Sequence, residues 1–158
     1  IEDSGYGYTC KRSEIRNGSF TRDIIINLKN AQVVLADVSG TNSNVMWELG
    51  VRHTFSKRTI LVVRKDMLGE RIISDLKTYG VIEYTTRNIK EINKFKQKIK
   101  SLLEGIENDP ERIDSPIFES LSEEEAILSR DVINSSACAR SSIVAMGIHP
   151  VDWTAITG

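Results

Sequence analysis

The stretch ADVSGTNSNVMWELG, from Ala36 to Gly50, decides how this chain folds. It joins the end of an apolar run, VVLAD (Val33 to Asp37), to a polar loop and then to a segment with helical spacing. A strand that stops on an Asp, followed by Ser-Gly-Thr-Asn-Ser-Asn, has turn and N-cap chemistry where a helix must begin. Working outward, FTRDIIINLKNA (Phe20 to Ala31) places Ile24, Ile25 and Leu28 on one helical face, and a helix is expected from about Asn44 to Ser56. TILVVR (Thr59 to Arg64) and GVIEYT (Gly80 to Thr85) are two further strands. Asn88 to Leu103 is a long amphipathic helix carrying Ile89, Ile92, Phe95, Ile99, Leu102 and Leu103.

Strands that are apolar along their whole length and alternate with helices indicate a parallel sheet covered on both faces. The expected fold is therefore α/β: an open parallel sheet with helices on both faces, a three-layer sandwich. In such sheets ligands bind beyond the carboxyl ends of the strands, and Asp37 with its loop lies at one such end. After Glu104 the composition changes. GIENDPERIDSP (Gly105 to Pro116) is charged, and Ser122 to Gly147 has the acidic first turn of a helix or helix pair. The division expected is an α/β domain over 1–104, then a connector and C-terminal helical extension over 105–158.

Composition limits the functional classes. With 158 residues and 40% hydrophobic content the chain can bury one respectable core. The 21 basic and 22 acidic residues leave a net charge of -1, so no strong nucleic-acid signal arises. Cys10 and Cys138 lack metal-ligand spacing and are expected as reduced thiols in a cytoplasmic protein. No apolar run is long enough to cross a bilayer, so no membrane partner is expected.

Helix geometry singles out Glu48. At ~100° per residue, it falls inside the arc of Val45, Leu49, Val51 and Phe55, while Trp47, Gly50 and Thr54 occupy the other side. A carboxylate among apolar neighbours needs compensation. One reading is a salt bridge to Arg52 at i+4. The other is chemical: near a helix N-terminus the carboxylate stays ionised, and an ionised carboxylate suits stabilising or attacking an anomeric carbon as a glycosidic bond breaks. Asp37 is either a turn residue or a group holding a sugar hydroxyl. Asn42 and Asn44 are either caps or ligands for hydroxyl or phosphate oxygens, and Gly40 and Gly50 admit either a ligand or close packing. Arg12, in the upstream segment GYGYTCKRSEIR, is a candidate for phosphate. His53 is expected as a core or rim residue rather than a catalytic one.

ADVSGTNSNVMWELGVRH resembles the Asp-x-(Ser/Thr)-Gly-x-Asn-x-Asn-Val-x-aromatic-Glu-x-Gly signature of nucleoside 2-deoxyribosyltransferase-like proteins, which are related to NAD-hydrolysing TIR domains. With the flanking order of elements, the resemblance covers about two thirds of the chain. It implies a flavodoxin- or TIR-like sandwich whose first strand precedes Ile1. It also implies Glu48 as the catalytic carboxylate at C1′, with Asp37, Ser39, Gly40 and Asn44 at the sugar. The substrate implied is a nucleoside, nucleotide or NAD, with no cofactor beyond NAD as a possible substrate. Homo-oligomers completing the site, and a regulatory protein partner in a gated antiviral or immune setting, follow from the same resemblance. The alternative is a non-catalytic TIR-like nucleotide-binding or assembly module. A receiver phosphorylated on Asp37 would need an N-terminal acidic pair.

Overall fold

The computed structural model describes residues 9–12, 20–55, 58–67, 79–109, 115–121, 124–125 and 142–146. The elements are β1 (Thr9–Arg12), α1 (Phe20–Asn30), β2 (Val33–Asp37), α2 (Ser43–His53), β3 (Arg58–Arg64), β4 (Ile82–Tyr84), α3 (Ile89–Asn108), a single turn α4 (Pro116–Glu119) and β5 (Ser142–Met146). The five strands form one sheet in the order β1-β5-β2-β3-β4, and every pairing is parallel. The open α/β sandwich expected from the sequence is the fold of the protein.

Alternation along the strands builds two core layers, because successive side chains of a strand point to opposite faces. Val33 and Leu35 of β2 join Ile60 and Val62 of β3, Ile82 and Tyr84 of β4, and Phe95, Ile99, Leu103 and Ile106 of α3. Val34 and Ala36 join Leu61 and Val63, with Leu28 of α1 and Val45 and Leu49 of α2, on the other face. Thus α1 and α2 cover one side and α3 the opposite side. The β1-to-β2 and β2-to-β3 connections run one way across the sheet and the return from β4 to β5 runs the other way. Helices on opposite faces give both directions the same handedness, as crossover connections require.

Two expectations are corrected. The helix of residues 88–103 continues to Asn108, and Ile106 is buried, so a boundary at 104 cuts through α3. Its apolar period persists for another turn, and Gly105 is tolerated within it. Beyond it, α4 packs back on the domain: Phe118 is buried and Ser115 Oγ donates to the His53 carbonyl oxygen at 2.6 Å.

The second correction concerns the C-terminal part. Residues 142–146, assigned to a helical extension, form a strand inside the sheet, pairing with β1 on one side and β2 on the other. Met146 is fully buried beneath α1 and α2. Glu124 and Glu125 are helical; apart from these and 142–146, the expected helix pair, including Cys138, lies outside the described residues. The interior position beside β2 is filled by β5.

Among the described residues no helix is long and apolar enough to cross a membrane.

Candidate functional site

Because all strands are parallel, Arg12, Met146, Asp37, Arg64 and Tyr84, the last residues of β1, β5, β2, β3 and β4, end at one edge of the sheet. The register pairs Arg12 and Leu35 with the same β5 residue, Ala145. Arg12 is therefore level with Leu35, two strands or about 10 Å across the sheet at the usual spacing, and two residues short of the level of Asp37 at the same edge. Its side chain lies outside what the structure describes.

Asp37 follows the parity of Val33 and Leu35 and so projects to the α3 face. There its Oδ2 accepts a hydrogen bond from the Tyr84 hydroxyl at 2.6 Å. Its Oδ1 accepts from the Ser39 amide at 3.0 Å and from the Ser39 hydroxyl. Ser39 Oγ in turn accepts from the Arg64 amide at 2.8 Å, and the Val38 amide donates to the Val62 carbonyl oxygen at 2.9 Å. One carboxylate thus ties together the ends of β2, β3 and β4. A carboxylate has about four acceptor positions, and three of those on Asp37 are taken by the chain itself. The turn reading weighed for Asp37 is the geometry present.

Tyr84 is the site residue that sequence reasoning missed. Burial, then the hydrogen bond to Asp37 and the charge of Asp37, raise its phenol well above the ordinary tyrosine value, so it remains a donor. Its ring stacks on Phe95 with centroids 4.9 Å apart. Strand parity places Tyr84 on the same face as Ile82 and was the available signal; its distance in sequence from Asp37 concealed the pairing.

The loop after Asp37 is a single 3-10 turn, Ser39–Thr41. Gly40 takes φ 69, for which glycine is suited, but Thr41 takes φ 50. A β-branched residue in the left-handed region is an outlier of the kind that costs roughly 1–3 kcal/mol. Gly40 and Thr41 are both exposed, so this turn presents its backbone to solvent beside the edge. Asn42 ends the turn and caps α2, its side chain accepting from the Asn44 amide at 2.9 Å. Asn42 and Asn44 are exposed.

Within α2 the buried residues are Val45, Glu48, Leu49 and Arg52. Glu48 is 8% exposed, on the apolar stripe as the helical spacing requires, and Trp47 on the other side is 46% exposed. The expected partner is absent from Arg52. That guanidinium donates to the carbonyl oxygens of Leu28, Ala31, Gln32 and Arg58. Adjacency on a helix made the ion pair plausible; carbonyls from other elements took the donors. His53 lies at the far end of α2, its ring 6.3 Å from that of Tyr79, away from the Asp37 loop.

Asp37 and Glu48 consequently occupy different sides of the sheet, the first toward α3 and the second on the helix covering the α1/α2 face. The loop Val38–Asn42 connects them over the edge. A cavity of about 480 Å³ lies elsewhere, against the amino halves of β3 and β4 and the end of α3, with Arg58, Tyr79, Lys98, Leu102 and Ile106 in its wall. It is remote from the Ala36–Gly50 motif. Among the described residues no group of His, Cys, Asp or Glu side chains is placed to hold a metal ion.

Compared with protein-family models, curated proteins and solved structures, the chain matches none.

Proposed function

We propose that the protein cleaves or transfers at the N-glycosidic bond of a nucleoside, nucleotide or NAD, with Glu48 as the catalytic carboxylate. The observation that carries this reading is a carboxylate held at 8% exposure on the apolar stripe of α2. It sits in a helix that begins at the carboxyl edge of a parallel sheet, where ligands of this architecture bind. Support also comes from the resemblance of ADVSGTNSNVMWELGVRH to nucleoside 2-deoxyribosyltransferase-like proteins.

In this mechanism the bond between C1′ and the base nitrogen breaks with its electron pair leaving on the base. The sugar carbon develops oxocarbenium character, which the Glu48 carboxylate stabilises or captures as an ester. Water then completes hydrolysis, or a second base completes transfer. The exposed Gly40–Thr41 backbone and the Asn42 and Asn44 side chains border the sugar and any phosphate. Ser39 and Asp37 shape that loop from beneath, and Arg12 supplies a cation to a phosphate from the same edge. A homo-oligomer and a regulatory partner that gates activity in a defence setting belong to the same reading.

The internal commitment of three acceptor positions on Asp37 favours a second reading, a non-catalytic TIR-like module that binds a nucleotide or organises assembly. One experiment separates the two. Wild type and Glu48→Gln are incubated with NAD and a panel of nucleosides and nucleotides, and released bases are resolved chromatographically. Base released by wild type, with turnover reduced at least about 1000-fold in Glu48→Gln, is expected if Glu48 is the nucleophile or its equivalent. Equal release by both proteins removes Glu48 from the chemistry, and release by neither favours the binding module.

A further inference from the structure

Arg52 is fully buried, yet its bonds go to neutral main-chain oxygens. Nη1 donates to the carbonyls of Leu28 and of Ala31, the latter at 2.9 Å. Nη2 donates to those of Gln32 at 3.3 Å and Arg58 at 2.9 Å. The Leu28 carbonyl belongs to the last turn of α1, where oxygens have no partner within the helix and the dipole is negative. Ala31 and Gln32 lead into β2, and Arg58 opens β3. One side chain of α2 therefore caps a neighbouring helix and grips the starts of two adjacent strands. Burial pulls the guanidinium down to about 9, which leaves it charged at neutral pH.

All four acceptors lie at the amino edge of the sheet, and α2 begins at the carboxyl edge. The helix is thus anchored at its far end by a planar fork that tolerates little rotation. Residues i and i+4 differ by only about 40° around a helix. Whatever fixes the azimuth of Arg52 also fixes that of Glu48, one turn nearer the candidate site.

We propose that Arg52 is the positioning residue of the candidate site: its four bonds to main-chain carbonyls set the rotation of α2 and so hold Glu48 at a fixed angle to the carboxyl edge. The catalytic consequence rests on the N-glycosidic reading; the mechanical one does not. The bonds to Leu28, Ala31, Gln32 and Arg58 replace the ion pair that spacing alone suggests between Arg52 and Glu48. None of the four bonds goes to the Glu48 carboxylate.

The test compares Arg52→Met, which keeps the bulk and removes every donor, with Arg52→Lys, which keeps the charge and up to three donors. Leu103→Ala, a core truncation on the opposite face, controls for lost stability. Amide hydrogen exchange is read across α2, and initial rates of base release are read on NAD and on the panel of nucleosides and nucleotides. Arg52→Met is expected to speed exchange at Val45–Leu49, the turns far from the lost bonds, by about tenfold for each 1.4 kcal/mol of protection removed. It is expected to lower kcat by about 100-fold with little change in KM, as a misplacement near 1 Å does. Arg52→Lys should fall between it and wild type, and Leu103→Ala should alter neither readout at α2.

Faster exchange confined to Gly50–Phe55, or the same pattern in Leu103→Ala, overturns the proposal. If wild type turns over no N-glycoside, the catalytic reading falls and the exchange pattern still decides the positioning role. Should Arg52→Met not fold, Arg52→Lys carries the same comparison.

Discussion

The two halves of the sheet differ in where their strands come from. β2, β3 and β4 follow one another in the chain and lie side by side, with α2 and α3 closing opposite faces over them. β1 and β5 come from opposite ends of the described chain, and β1 is paired through β5. Both halves contribute to one carboxyl edge. The first half carries Asp37, the turn and Glu48; the second brings Arg12 to that edge. The contrast teaches that a parallel sheet can have a locally specified part and a part whose place depends on a single long-range strand. β5 is that strand, and loss of it separates β1, with Arg12, from β2.

The largest expected effect tests this contrast directly. Met146 is 0% exposed in the layer under α1 and α2. Met146→Ala should cost about 2–5 kcal/mol in urea-unfolding experiments. Amides of Thr9–Arg12 should lose exchange protection more than those of β2 and β3. Equal losses in both halves would show that the sheet opens as one unit.

Within the contiguous half, Tyr84→Phe removes the donor to Asp37 Oδ2. A hydrogen bond to a charged group contributes about 1.5–3 kcal/mol, and a loss in that range is expected. The pH dependence has a definite sign. The folded phenol is raised above the unfolded value of 10.0, so its contribution is complete below about pH 10 and is lost as pH rises beyond that. The Tm difference between wild type and Tyr84→Phe should therefore narrow from pH 8 to pH 11. A constant difference would mean that the phenol proton is not what ties β4 to Asp37.

The smallest effect belongs to the helix cap. Asn42→Ala loses the acceptor for the Asn44 amide and should cost about 1 kcal/mol in thermal unfolding. Because Asn42 is exposed, activity should change only if the side chain also meets the ligand. A loss of turnover much larger than the loss of stability would assign it to binding.

Much of the contiguous half was legible in the residues. Continuous apolar runs marked β2 and β3, and the helical period marked α1, α2 and most of α3, because local side-chain spacing reports which face is buried. The same period places Glu48 on the buried stripe of α2. Legibility ended where partners were distant. SSIVAM is too short and too weakly patterned to separate strand from helix, and its surroundings carry a helical start signal. Nothing local to it names β1 and β2 as neighbours.

The sequence by itself determined the alternation of strands and helices, the turn at Val38–Asn42 and the burial of Glu48, since each depends on residues within a few positions of one another. Tertiary structure alone decided that β5 fills the interior of the sheet, that Tyr84 binds Asp37, and that Arg52 turns its two Nη groups to four carbonyls. Those outcomes turn on which polar groups and strand edges meet after the chain has folded. Hydrogen-bond satisfaction in a buried setting is a property of the assembled neighbours, and spacing along one helix or strand does not encode it.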